Sequence, residues 1–330
     1  MSNKRPLELY DNTRISAFKG CPRFYYYRHV RDWIPDKRKS AALVFGSCWH
    51  DAMDVVWKHM TNGIVPRWDK EDVVKAAFTT FTSRWEEEGM TPWDDMPMEE
   101  QVALSPRTPM VALEMLYEYV ISRQRFLSQC TLIEIERPFA VPIDPAQPNL
   151  FYVGRLDKVF EFEGNTYAGE HKTSSLYKKG GPFRESFIDS FSPNSQVDGY
   201  LFAGHLLYGD GMKAVWVDAA LVHKDVHDGF RFIPVERAFE QLDAWLWETH
   251  YWIESIRQNK EALSSAHEEK YMAAFPKNTA FCYHFGGACE YIDLCKMWAN
   301  PHREETPAGF REHKWEPFDE EKLQRLGLGE

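Results

Sequence analysis

The chain lacks any apolar run long enough to cross a bilayer, which excludes a helical membrane span. Its first residues, Met1 to Asp11, lack the apolar stretch of a secretory signal, so an intracellular protein is expected. Positive charge is also short: 39 Lys and Arg stand against 50 Asp and Glu, a formal net charge of −11. That excludes a general basic coat for nucleic acid. Any such ligand has to be held in a local groove, with bound metal ions supplying part of the positive charge. Internal repeats and low-complexity tracts are absent, which removes the solenoid and fibrous classes. The CxxC pairs of ordinary zinc knuckles are missing. Inside a cell, the six cysteines present do not read as three disulfides, so their spacing becomes a question about metals.

What is present is a globular composition, 44% hydrophobic and 15% aromatic, enough for a large core. Apolar spacing predicts a helix from Ala41 to Met60, with Phe45, Trp49, Met53 and Val56 on one side. Further helices are marked by Val74, Phe78, Phe81 and Trp85, and by Leu113, Leu116, Tyr117, Val120 and Ile121. Gln196 to Tyr208 and Phe239 to Ile256 also read as helical. Strands are expected over Thr131 to Ile143, Phe151 to Phe162, Thr166 to Lys172, Ala214 to Val222 and Phe230 to Val235. Gly164-Asn165 is expected to be the tight turn between the second and third of these. The acidic, Pro-rich stretch Glu86 to Pro109 reads as a loop, and the polar tail beyond Asn300 as a surface segment. The fold class is therefore mixed α/β: a helical N-terminal region over 1–130, a core over 131–300 and a tail over 301–330, joined as one integrated domain.

The chemistry concentrates in Gly154-Arg155-Leu156-Asp157 and, across a hairpin, Gly169-Glu170-His171-Lys172-Thr173. Asp157 shares a strand face with Arg155 and Val159, and Glu170 shares one with Lys172. If the hairpin closes, two carboxylates and an ammonium converge. Paired carboxylates repel, and a divalent cation relieves the repulsion. Lys172 is then placed to orient or deprotonate an attacking water, or to stabilise charge on a phosphate. An isolated pattern of this kind is more often an exposed hairpin with an ordinary ion pair. Gly154 and Gly169 are read as points where backbone approaches a ligand. Two further pieces fit: His50 in Gly46-Ser47-Cys48-Trp49-His50, and Gln196 with Tyr200, four apart on one helix face.

Taken in order, Gly46-x-x-x-His50, Gly154-Arg155-Leu156-Asp157, Glu170-His171-Lys172-Thr173 and Gln196-x-x-x-Tyr200 resemble the motifs of RecB-like PD-(D/E)XK nucleases. The resemblance covers roughly Ser16 to Cys295 and departs from the pattern in having Leu156, not Pro, before Asp157. It implies a restriction-endonuclease-like core with a mixed central sheet flanked by helices. It implies that His50, Asp157, Glu170 and the backbone carbonyl of His171 bind magnesium or manganese. Lys172 is implied to be catalytic, with Gln196 and Tyr200 beside the DNA and the active site.

Four cysteines, Cys21 before the core and Cys282, Cys289 and Cys295 after it, form the second constellation. Thiolates are soft ligands that select zinc or iron–sulfur clusters. One cysteine before the core and three after it resembles the iron–sulfur RecB-like nucleases, among them the AddB nuclease domain and CRISPR-adaptation exonucleases. That implies a [4Fe–4S] cluster, with zinc as the alternative; the gap from Cys282 to Cys289 is longer than that family's usual one. Cys48 and Cys130 are read as ordinary buried thiols. Arg23, Tyr26, Lys178 and Lys179 are candidate DNA contacts, basic groups for phosphates and a ring for a base. The function expected is a metal-dependent DNA exonuclease acting on single strands or ends, in the cytoplasm of a bacterium or a phage-infected cell. The other reading is a nuclease-fold adaptor in a recombination or CRISPR-adaptation complex.

Overall fold

The computed structural model describes residues 6–37, 39–61, 70–178, 181–284 and 287–328. The chain begins with strand β1 (Glu8–Tyr10), helices α1 (Asn12–Gly20) and α2 (Pro22–Tyr25), a π-helical turn over Tyr26–Val30 and strand β2 (Trp33–Pro35). Helices α3 (Ala41–Met60), α4 (Lys70–Glu87), α5 (Met98–Leu104) and α6 (Pro109–Leu127) follow. Then come strands β3 (Thr131–Pro142), β4 (Leu150–Phe162) and β5 (Asn165–Ser174), helices α7 (Glu185–Asp189) and α8 (Ser195–Tyr208), and strands β6 (Met212–Leu221) and β7 (Phe230–Val235). The long helix α9 (Phe239–Glu261) leads to the small strands β8 (Tyr283–His284) and β9 (Gly287–Ala288), helix α10 (Ile292–Met297), strand β10 (Phe310–Glu312) and helix α11 (Glu320–Arg325). No helix among the described residues is long and apolar enough to cross a membrane.

These elements form two compact units. Unit 1 takes Met1–Arg38, Pro138–Gly154 and Phe239–Glu330; unit 2 takes Lys39–Arg137 and Arg155–Ala238. The units do not follow consecutive stretches such as 1–130, 131–300 and 301–330, because β3 and β4 each carry the chain from one unit into the other.

Unit 2 is built on a mixed sheet. Residues 158–162 of β4 pair antiparallel with residues 165–169 of β5, β5 pairs parallel with β6, and β6 pairs antiparallel with β7. A parallel pair needs a crossover, and the segment carrying α8 supplies it. Phe162 faces Asn165, so the hairpin turn is Glu163-Gly164, one residue earlier than expected. Both turn residues have positive φ, 49° and 75°, which a type I′ turn requires. Helix α3 starts at Ser40, whose side chain accepts from Leu43 N–H, and buries Phe45, Trp49, Met53, Val56 and Trp57 at helical spacing. These side chains share one core with residues of α4 and α6 and with Phe160 and Ala220 of the sheet. Each large side chain so buried contributes roughly 1.5–3 kcal/mol. The stretch read as a loop holds α5 and a 3-10 turn over Trp93–Asp95. Its prolines start helices here: Pro97 is the N-cap of α5, and Glu99 and Glu100 complement its N-terminal dipole.

In unit 1, β1 pairs parallel with residues 150–152 of β4, and β10 returns from the tail to pair antiparallel with β2. The tail is thus tied down. Tyr25, Tyr26, Tyr27 and Trp33 are fully buried, and Tyr27 stacks on both Trp33 and Tyr291. Gly154 also has a packing role: a Cβ there would stand 2.5 Å from Phe139 Cζ, so the space is taken by a ring rather than kept for a ligand.

Candidate active site

Strand alternation sorts the hairpin residues in unit 2. On β5, Glu170 and Lys172 point to the side of α8, while His171 points toward α3 and α6, with its ring near Trp57 and Tyr119. Beyond Lys158↔Gly169 no further β4–β5 partners are paired, and Asp157 turns to accept the His171 backbone N–H at 3.1 Å. The same carboxylate lies 3.1 Å from His50 Nδ1 on α3. Lys172 Nζ is 2.5 Å from Glu170 Oε1 and donates to Gln196 Oε1 at 3.3 Å. Gln196 Nε2 in turn donates to the Tyr200 hydroxyl at 2.9 Å. Asn194 accepts from Gln196 and Val197 N–H, so α8 begins where Gln196 meets Lys172. His50, Asp157, the run Glu170-His171-Lys172, Gln196 and Tyr200 thus make one connected site.

Asp157 and Glu170 are both nearly inaccessible to solvent. Burial is the largest influence on Glu170 and drives its carboxyl above the usual range, and the Asp157 charge adds to it against the pull of Lys172. Burial pushes Asp157 the same way, but the hydrogen bond and charge of His50, with Lys158 and His171, outweigh it and hold Asp157 well below the usual range. His50 is raised: burial lowers it, and its bond to Asp157 and the charges of Asp157 and Glu170 more than compensate. Lys172 is likewise held charged by Glu170 against its own burial. One carboxylate thus holds its charge and its neighbour resists ionising.

Among the described residues, no three His, Cys, Asp or Glu side chains already stand as a metal site. The fit to a divalent cation rests on Glu170 Oε2, which is buried and has no hydrogen-bond partner among the described residues. A buried carboxylate oxygen left without a partner is costly until a cation or a proton takes it. Carboxylate oxygens beside an imidazole are a donor set suited to magnesium or manganese.

Two charge networks behind the site were not read from the sequence. Lys158 is fully buried on β4, 3.0 Å from Asp54 Oδ1 on α3. Asp54 stands one turn beyond His50, and that i, i+4 spacing of two polar residues on an otherwise apolar face was the available signal. Asp218 on β6, paired in register with His171, accepts from the Tyr119 hydroxyl at 2.5 Å and from Arg123 at 2.9 Å. Trp57 Nε1 donates to the same tyrosine, which closes the network onto α3.

In unit 1, Cys21, Cys282, Cys289 and Cys295 are free thiols lining one cavity of about 20 Å³, together with Phe24, Phe281 and Tyr291. The Asn278 N–H donates to Cys21 Sγ at 3.3 Å, and the Lys277 ammonium lies against the Cys295 carbonyl. The four thiols thus share one cavity, but among the described residues no three of them already stand as a metal site. Cys48 and Cys130 are buried in the core of unit 2, as expected for ordinary thiols.

The expected DNA contacts fare differently. Arg23 is buried and donates to the carbonyls of Phe275 and Met272, and Tyr26 is fully buried with its hydroxyl against His302. Neither offers a surface to a strand, because the aromatic-basic stretch that carries them is packed core. Lys178 is exposed and pairs with Glu185 at 3.0 Å. Lys179 lies outside the described residues.

No curated protein matches the chain. A solved structure of a provisionally named exonuclease from Eubacterium rectale is similar to it, at 13% identity and a TM-score of 0.43, over 74% of this chain and 79% of that one. The family model of the PD-(D/E)XK nuclease superfamily matches residues 12–296. That span takes in the whole carboxylate–lysine site, and the match over most of the chain shows that it belongs to the PD-(D/E)XK nuclease superfamily.

Proposed function

We propose that the protein is a metal-dependent DNA exonuclease that acts on single strands or on DNA ends. The observation that carries the reading is the buried Asp157–Glu170 pair, with Glu170 Oε2 unpartnered among the described residues and Lys172 against its other oxygen. His50, Asp157, Glu170 and the backbone carbonyl of His171 would hold magnesium or manganese. Such a cation, when bound, neutralises phosphate charge and lowers the pKa of water. Lys172, held charged by Glu170, presents its ammonium to the reacting phosphate and to the attacking water. Gln196 fixes where that ammonium points, and Tyr200 fixes Gln196. Burial excludes bulk solvent, so each of these charges acts more strongly than it would in water.

Cys21, Cys282, Cys289 and Cys295 would hold a [4Fe–4S] cluster, or zinc in its place. Phosphodiester hydrolysis transfers no electrons, so the centre serves as a staple between the two ends of unit 1. The setting is the cytoplasm of a bacterium or a phage-infected cell, with a recombination or CRISPR-adaptation protein as partner. Digestion of end-labelled single-stranded, double-stranded and circular DNA, and of RNA, with magnesium, manganese or EDTA tests the reading. Metal-dependent loss of nucleotides from linear DNA, with circles spared, is expected. Cleavage unaffected by EDTA refutes metal dependence, and equal cleavage of circles refutes exonuclease action. Binding without cleavage in any metal favours the adaptor.

A further inference from the structure

The catalytic side chains account for the scissile phosphate but not for the rest of the strand. Arg155 lies two residues before Asp157 on β4, so its side chain leaves the same strand face about 7 Å away. That displacement is comparable with the step between successive phosphates of an extended strand. Its side chain is 61% exposed, while Asp157 beside it is buried, so Arg155 stands at the mouth of the site. The guanidinium is held by Glu136 Oε2 of β3 at 2.5 Å. Glu136 has a left-handed backbone, φ 53°, which is uncommon for a residue with a side chain.

We infer that Arg155 is a backbone-phosphate clamp for the nucleotide next to the scissile bond, and that Glu136 occupies it until nucleic acid displaces the carboxylate. The exchange is favourable for a physical reason. An ion pair this exposed contributes little, whereas a guanidinium on a phosphate makes a bidentate, charge-assisted contact. Glu136 therefore competes intramolecularly with the ligand, and a weak or non-phosphate anion does not open the clamp.

The inference rests on the nuclease reading, and its test separates the two. Binding of a fluorescent single-stranded oligonucleotide is measured by anisotropy in EDTA, so that nothing is cleaved, over a range of salt. Arg155→Ala is expected to weaken binding about tenfold, the scale of one charge-assisted contact, and to reduce the salt slope by about 0.7. Glu136→Gln is expected to tighten binding severalfold. In the Arg155→Ala background, Glu136→Gln should have no further effect, because the carboxylate acts through the guanidinium. Unchanged affinity in Arg155→Ala, or the same tightening by Glu136→Gln in both backgrounds, overturns the clamp while leaving the nuclease reading intact. Wild-type protein that neither binds nor cleaves nucleic acid overturns both.

Discussion

Replacing Asp54 by Ala should damage the protein more than its half-buried place on α3 suggests. The Lys158 side chain is 0% exposed and its ammonium lies 3.0 Å from Asp54, whose side chain is 16% exposed. The Trp57 ring is a further neighbour, 5.9 Å from the ammonium. An ammonium at that depth has given up its hydration, so removing the carboxylate strands a charge in apolar surroundings. Deleting one partner of a buried pair costs about 3–5 kcal/mol. The Asp157 charge remains close and offsets part of this, which puts Asp54→Ala near ~3 kcal/mol. Lys158→Met behaves differently: it removes the buried charge, keeps an unbranched chain of similar length, and leaves Asp54 with access to water. Its cost should stay below about 1 kcal/mol, and adding it to Asp54→Ala should recover most of the lost stability. Urea unfolding of the four proteins, followed by tryptophan fluorescence, measures all three differences. An Asp54→Ala variant within about 1 kcal/mol of wild type, or no recovery in the double variant, would refute the account of the buried pair.

Asp157→Ala and Glu170→Ala should each abolish cleavage with circular dichroism unchanged, whereas Lys172→Ala should slow single-turnover cleavage ~10²–10³-fold with metal affinity retained; near wild-type turnover in either carboxylate variant sinks the site. Serine at Cys21, Cys282, Cys289 or Cys295 should lower Tm and remove iron and acid-labile sulfide, while serine at Cys48 or Cys130 should leave both in place; a colourless wild type with stoichiometric zinc would refute the cluster. Burial, helped by the charges of Arg14, Arg28 and Lys260, lowers the His29 pKa from 6.5 to about 3. The unfolded chain therefore takes up a proton that the folded one refuses, so stability is full above pH 6.5 and falls toward pH 3 by up to about 1.4 kcal/mol per pH unit. His29→Phe should flatten that slope in urea titrations across the same pH range, and an unchanged slope argues against it.

The elements that carry the site were legible because their patterns are strong. Helix α3 ends where its apolar spacing ends, and the β4–β5 hairpin follows from alternation and a glycine turn. His50, Asp157, Glu170 and Lys172 meet because those periods fix which way each points. Burial was less legible. The stretch around Tyr25, Tyr26 and Tyr27 has the composition of a strand-binding surface and is instead a packed core, since composition does not say which side of a residue faces water. Lys158 was not singled out in the sequence and is fully enclosed. Asp218 and Tyr119 are 99 residues apart, and the fold alone brings them together.

The interleaving of the two units sets an order for synthesis on the ribosome. Unit 2 is complete once Ala238 has emerged, and it already contains every residue from His50 to Tyr200 of the candidate site. Unit 1 has its first stretch out early but waits for the chain beyond Phe239. Domains fold as units as they emerge, so the carboxylate–lysine site can assemble while the aromatic stretch around Tyr26 is still without its partners. Nascent chains halted between these points carry the whole candidate site, but only Cys21 of the four thiols that line the cavity.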